Sequence, residues 1–186
     1  MRVRIRTAVV VLLWAVLLGT ALILVAHEWR GTRLPAPRPP ESCSAPDPAG
    51  GDGCLTPTAR RLFDRTVAQF GAPGPGAPLR SVTCWGDRAA NPAGDHGSGR
   101  ACDFFPTRPA TFAEGAERDA GWAVANWLRD NAEDLDVRYV IWQGRIWVRG
   151  GTDDGGWGRP YDGGGVYDPA DATGGHHDHV HVSVGP

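Results

Sequence analysis

Hydrophobic positions along this chain follow three rhythms. The first is an unbroken run. Residues 8–26, from Ala8-Val9-Val10 to Leu24-Val25-Ala26, are almost all apolar. A helix of that length is roughly 28 Å long, close to the ~30 Å hydrocarbon core of a bilayer. The second rhythm is helical. Ala59, Leu62, Phe63, Thr66, Val67 and Phe70 recur at three- and four-residue spacing. Thr56 before Pro57 supplies a cap and a first helical residue, and Gly71 supplies a stop. Ala120, Val124, Trp127 and Leu128 mark a second helix within residues 111–133. The third rhythm belongs to strands: Arg80 to Trp85, Tyr139 to Trp142, and Arg145 to Val148. The last two are joined by Gln143-Gly144, a hairpin signal. His177, His179 and His181 alternate with other residues and lead into Val182-Ser183-Val184. That is the period of a strand, so His179 and His181 would project side by side, and parity puts His177 on the same face. These elements predict an α+β fold, a small antiparallel sheet with helices on one face.

Between the elements, residues 71–78 form a Gly/Pro loop and residues 86–102 a polar, Gly-rich loop carrying His96. Residues 149–175 form a long Gly-rich loop with Trp157, Tyr161 and Tyr167. Loops of this length in a domain are usually functional or disordered, and this one could wall a cleft.

Charge and cysteine content add the compartment. Arg2, Arg4 and Arg6 precede the apolar run and put that end in the cytoplasm. The exit, Leu24-Val25-Ala26-His27, is a poor match to a signal-peptidase site, which favours an uncleaved anchor over a cleaved signal. The expectation is a single-pass membrane protein held through residues 8–26 with an extracytoplasmic C-terminal domain, secreted instead if the segment is cleaved. Residues 31–53 are rich in Pro, Gly, Ser and Asp and read as a tether. The chain then divides into an arginine-flanked anchor at 1–30, a linker at 31–53 and a domain at 54–186. Six of the 19 basic residues, but only Glu28 and Glu41 of the 21 acids, lie within residues 1–41. The remainder is net acidic, which gives no support to a nucleic-acid partner. A monomer is expected. The four cysteines, 43, 54, 84 and 102, suggest two disulfides in an exported chain. Cys43–Cys54 and Cys84–Cys102 are the preferred pairs: one clips the tether to the domain, the other ties a strand to the loop bearing His96. No Cys-x-x-Cys spacing favours a cysteine metal site.

Five of the six histidines fall in two segments, 94–105 and 174–184. Histidine is the commonest metal ligand, and a zinc site needs at least three protein ligands. His179 and His181 begin such a site, and Gly94-Asp95-His96-Gly97-Ser98-Gly99-Arg100-Ala101-Cys102-Asp103 could complete it. Trp85, Trp142, Trp147 and Trp157 could line a groove for a glycan or peptide, although large aromatics beside a small sheet are more often core.

His96, Gly99, Ala101 and Asp103 together resemble the first zinc motif of the LAS metallopeptidases. These include D-alanyl-D-alanine carboxypeptidases and dipeptidases, lysostaphin-type endopeptidases and the hedgehog signalling domain. His179-x-His181 followed by Val-Ser-Val resembles their last motif. More closely, Cys84-Trp85, Gly99 to Phe105, Tyr139 to Trp142, Arg145-Ile146-Trp147 and Gly163 to Pro169 resemble the C-terminal domain of exported actinobacterial proteins grouped with the D-Ala-D-Ala peptidase relatives. The resemblance covers roughly residues 54–186.

It implies zinc held by His96, Asp103 and His181 in a cleft on the sheet face away from the helices. It implies His179 as an active-site residue beside the metal and His176 as an additional active-site histidine. Asp178 stands where the carboxypeptidase branch has a glutamate base, and Gly94 where a serine often sits. Asp178 or His179 could be the base, the other orienting water or steadying an oxyanion. His177 is either a face residue or a polar rim residue. Arg100 either pairs with a substrate carboxylate or bridges to an acid of the protein. The function implied is a zinc-dependent peptidase acting on peptidoglycan stem peptides or cross-links. The alternative is a non-catalytic zinc module of the same fold that binds cell-wall material or a protein.

Overall fold

The structure, a computed structural model, describes residues 39–50 and 52–185. The expected membrane segment, residues 8–26, lies outside them. Among the described residues no helix is long and apolar enough to cross a membrane.

The domain is α+β. A two-stranded ribbon pairs β1 (Ala45–Pro46) with β2 (Cys54–Leu55). A six-stranded antiparallel sheet holds β3 (Ser81–Thr83), β4 (Ala101–Phe105), β5 (Val137–Trp142), β6 (Arg145–Val148), β7 (Arg159–Pro160) and β8 (Val180–Val184). The order is β3-β4-β8-β5-β6-β7, so the last strand in sequence sits in the middle. Two helices, α1 (Pro57–Phe70) and α2 (Gly115–Asp130), and a short 3-10 turn at Gly163–Gly165 complete it.

Helix α1 forms as its sequence dictates. Thr56 caps it, its side chain accepting from the Ala59 N–H at 3.2 Å, with Pro57 at the first turn. Glu41 adds a second cap: its carboxylate accepts from the N–H and the hydroxyl of Thr58 at 2.9 and 2.8 Å. A carboxylate there also opposes the positive end of the helix dipole. Within the segment read as a tether, Glu41 is therefore engaged by the domain, and the compact unit begins at Pro40. Asp47 reinforces this by accepting from the Trp85 N–H at 3.0 Å.

Helix α2 is shorter than the expected 111–133. Its first residues are taken by another partner: the Ala113 N–H donates to the His177 carbonyl at 3.0 Å. At the far end the Asn131 amide turns back onto the Trp127 carbonyl. Gly121 lets the helix approach the sheet; a β-carbon there would lie 2.1 Å from the Trp142 ring.

Alternation along the strands sorts the two faces. Phe104, Val140, Trp142, Val180, Val182 and Val184 point to the side that joins the helices in the core with Leu62, Val124 and Leu128. Asp103, Phe105, Tyr139, Ile141 and His181 point to the other side. The loop expected over residues 86–102 ends earlier, and Ala101–Phe105 are strand β4. All five are buried, so the polar/apolar alternation that betrays a strand is missing. The hairpin of β5 and β6 forms as expected, Gln143 and Gly144 both having the positive φ, 50° and 66°, that its tight turn demands. Both preferred disulfides are present, Cys43–Cys54 and Cys84–Cys102.

Candidate metal centre

Two neighbouring strands bring the first two donors together. Asp103 on β4 and His181 on β8 are register partners, and the Asp103 Oδ1 lies 2.8 Å from the His181 Nδ1. His96 arrives from the loop between β3 and β4. Its Nδ1–H donates to the carbonyl of Cys84, and its Nε2 lies 3.2 Å from both the His181 Nδ1 and the Asp103 Oδ1. All three residues are buried and could hold a metal ion.

The fit can be judged from the donors themselves. Three ligands at ~2.1 Å in a tetrahedral shell stand roughly 3.4 Å apart. The three observed separations, 2.8 to 3.2 Å, make a triangle slightly tighter than that. Because His96 donates from Nδ1, its Nε2 offers a lone pair when the ring is neutral, opposite a carboxylate oxygen. Facing acceptors at this distance call for a proton or a cation between them. Two imidazoles and one carboxylate are a donor set that zinc and other divalent transition ions accept.

Local folding explains how His96 is presented. The Arg100 N–H and the Ser98 hydroxyl both bond the Asp95 carbonyl, at 2.8 and 3.0 Å, and the Gly99 N–H bonds the His96 carbonyl at 3.0 Å. Gly99 has φ +68°, and a β-carbon on it would lie 2.4 Å from the Cys54 carbonyl and 2.6 Å from the Cys43 sulfur. Only glycine satisfies both demands. The loop is thereby seated on the ribbon and its disulfide, with the Thr56 N–H donating to the Gly99 carbonyl at 2.9 Å.

The electrostatics follow from burial and mutual charge. Burial opposes ionisation of Asp103, but the facing charges of His179 and His96 and the bond from His181 hold it well below the usual carboxylate range. Burial likewise depresses His96, yet the Asp103 charge prevails and its pKa is raised. His181 is lowered by burial. His176 lies far below the ordinary imidazole value through burial and through facing His179 and His181. Tyr139, buried beside Asp95, is pushed up to about 12.

Beside the cluster stands His179. Its Nε2 is 3.6 Å from the Asp103 Oδ1, and its Nδ1 is 2.5 Å from the Asp178 Oδ1. Asp178 is fully buried, and its other oxygen accepts from the Ala110 N–H at 2.6 Å and the Thr173 hydroxyl at 2.8 Å. It touches the ring of His179 and is not among the residues lining the cavity. His176, held at φ 56°, lies against His179 with ring centroids 4.6 Å apart, and its Nδ1 has no hydrogen-bond partner.

These side chains open into a cavity of about 390 Å³. Its aromatic walls are Phe105, Tyr139, Tyr161 and Tyr167, and Arg88 reaches the Asp103 Oδ2 at 3.2 Å. Tyr161, Tyr167 and Thr173 come from the long loop 149–175, which does wall the cleft. The four tryptophans considered for a groove do not line it. Trp142 is fully buried, Trp157 packs edge-on against Trp122, Trp147 borders the core, and Trp85 is on the surface. His177 is not on the cavity face either. Residues 171–178 turn instead of extending, β8 begins only at Val180, and His177 rests on Phe112 and Gln143. Arg100 bridges to Asp95 at 3.2 Å. Sequence reasoning passed over Tyr139, Arg88 and Phe105. Period-two counting from Asp103 reaches Phe105, and pairing β5 beside β8 would have put Tyr139 on the same face.

Fold and site thus define an α+β domain with a candidate metal centre at the middle of its sheet. Residues 51–172 match the family described as VldE, C-terminal domain, and the chain belongs to that family. No curated protein and no solved structure matches it.

Proposed function

We propose that the domain is a zinc-dependent peptidase that acts on peptidoglycan stem peptides or cross-links, held outside the membrane by residues 8–26. In this reading His96, Asp103 and His181 hold zinc in a cleft on the sheet face opposite the helices. The observation that carries it is His179: a histidine that faces the three donors with Nε2 and leans on a buried carboxylate with Nδ1. Zinc, when bound, supplies a Lewis acid that polarises a carbonyl and acidifies water.

The chain's own residues do the rest. His179 Nε2 takes the proton from the attacking water and returns it to the leaving amine. Asp178 fixes the ring with Nδ1 protonated and steadies the imidazolium that forms, the role of the third member of a catalytic triad. His176, kept neutral by burial, borders the reacting carbonyl and can donate or accept one hydrogen bond. Phe105, Tyr161 and Tyr167 exclude water and bind the peptide by contact.

One observation favours the second reading, a zinc module that binds and does not cut. Asp178 is behind His179, its oxygens engaged by the His179 ring, the Ala110 N–H and the Thr173 hydroxyl, so it does not stand at the cluster as a base. Digestion of defined muropeptides with zinc added or chelated separates the two. Zinc-dependent cleavage, lost in His179→Ala, supports the peptidase. Retention of muropeptides without cleavage supports the module.

A further inference from the structure

Of the three donors, His96 alone is carried by a loop. Asp103 and His181 keep their places through the ladder of β4 and β8, whereas His96 stands where its loop is held. One hold, on the ribbon, comes from outside the cleft. A second comes from β5. The buried Asp95, immediately before His96, accepts a hydrogen bond on Oδ2 from the Tyr139 hydroxyl at 2.9 Å and another from the Arg138 guanidinium. Its Oδ1 pairs with Arg100 at 3.2 Å. The Tyr139 ring lies along that of His181, with centroids 5.4 Å apart and planes 19° apart. One side chain therefore touches a ligand and the residue next to another ligand.

Strand β5 is irregular at this point. Val137 pairs with Val184 and Tyr139 with Ser183, so two steps along β5 match one along β8. Such a bulge re-aims side chains. Consecutive residues of a regular strand point to opposite faces, and only one of Arg138 and Tyr139 would reach a given carboxylate. With the extra residue both do. A buried carboxylate costs stability unless it is paired, and a loop closed by apolar contact would avoid that cost. What directed partners add is a fixed position for the loop beside β8. Tyr139 lines the cavity, yet its hydroxyl proton goes to Asp95 and not to the space in front of it.

We propose that Tyr139 and Asp95 form a clasp that sets the position of His96 relative to His181, both acting as positioning residues for the metal. The clasp works through the Asp95 side chain, while the carbonyl of the same residue closes the turn at Ser98 and Arg100. With the clasp open, the loop samples positions in which His96 Nε2 no longer meets the strand donors, and a metal must order it on binding. Partners one step out from the ligands change metal affinity by roughly 10- to 100-fold.

This rests on the reading that the centre holds a metal, and the two can fail separately. Tyr139→Phe keeps the stacked ring and removes one hydroxyl. Asp95→Asn keeps the shape and removes the charge. Co²⁺ and Zn²⁺ affinities are measured by titration for wild type, both single variants and the double variant, and backbone order parameters by ¹⁵N relaxation on the metal-free proteins. Melting curves establish that the variants fold. Each single variant should weaken both metals by about tenfold or more. The double variant should bind no more weakly than Asp95→Asn alone, because the hydroxyl acts through that carboxylate. Without metal, residues 95–100 of the variants should fall from an order parameter of about 0.85 towards about 0.6, with β4 and β8 unchanged. An unchanged affinity in either single variant, losses that multiply in the double variant, or an unchanged order of residues 95–100 overturns the proposal. If wild type binds neither metal, the reading of the site fails, and the order of the loop in the metal-free variants still upholds or overturns the clasp.

Discussion

Asp178 stands behind His179, 2.5 Å from its Nδ1, and is turned away from the three-donor cluster that His179 faces. The shorter reach of aspartate compared with glutamate therefore does not bear on contact with water at the centre. What it sets is the orientation of a ring. Replacing the carboxylate by an amide keeps the shape but no longer demands Nδ1–H. Asp178→Asn should lower kcat for muropeptide cleavage by about 10²-fold or more while the zinc content stays at wild type. An unchanged kcat would remove Asp178 from the mechanism.

Loss of a donor should empty the centre. In His96→Ala and Asp103→Ala the remaining two ligands are too few for a tight site. Elemental analysis should find about one zinc per chain in wild type and next to none in either variant. Metal should also stabilise the fold, by about 2.7 kcal/mol at a free concentration 100 times Kd. For a domain of this size that raises Tm by roughly 5–10 °C, an increment the two variants should lack.

The disulfides should differ in what they protect. Cys84 offers its carbonyl to His96 Nδ1, and Cys102 precedes Asp103 in β4. Cys84–Cys102 therefore staples two ligand-bearing segments, its ends 18 positions apart in sequence. Cys43–Cys54 lies beneath Gly99 and supports the loop from outside. Removing either should cost about 3 kcal/mol of stability. Only the Cys84→Ser/Cys102→Ser pair should in addition weaken zinc binding, by about tenfold or more, when measured at a temperature where both variants are folded. Equal zinc affinity in the two would contradict this.

Metal binding should fall in acid with a direction fixed by His96. Its pKa in the metal-free protein is raised, the Asp103 charge overcoming burial. A metal must displace that proton, so affinity is level above the raised value and declines as pH falls through it, approaching tenfold per pH unit. Asp103 stays ionised over this range, being held well below the usual carboxylate range. Zinc titrations between pH 8 and pH 5.5 check this. Affinity that rises as pH falls would refute it.

His177 is the control among the histidines. It packs on Phe112 at 5.1 Å and borders Gly144, outside the cavity. His177→Ala should leave zinc content and cleavage rate within about twofold of wild type, as expected for a half-exposed position. A large loss would mean that His177 itself belongs to the site.

Much of this was legible in the chain. The cap and stop residues around α1 and the hairpin turn at Gln143-Gly144 are local chemistry, and they fall where the sequence puts them. The meeting of the two histidine-bearing segments was legible too, because five of six histidines fall in them; Asp103 as the third member came only from the resemblance to a zinc motif. Strand β4 was not, since burial of all five residues erases its period. The choice between face and rim for His177 was not legible, because alternation does not reveal that a turn precedes the strand, which starts only at Val180. The roles of Glu41 and Asp47 were hidden for another reason. A Pro-rich composition describes a tether well, and says nothing of two carboxylates that reach across to cap a helix and hold the Trp85 N–H.

The most direct test is an anomalous difference map at the zinc edge from crystals of the domain grown with zinc. A single strong peak should lie 2.0–2.2 Å from His96 Nε2, Asp103 Oδ1 and His181 Nδ1. Fully occupied zinc elsewhere, with no peak among these three atoms, would contradict the account.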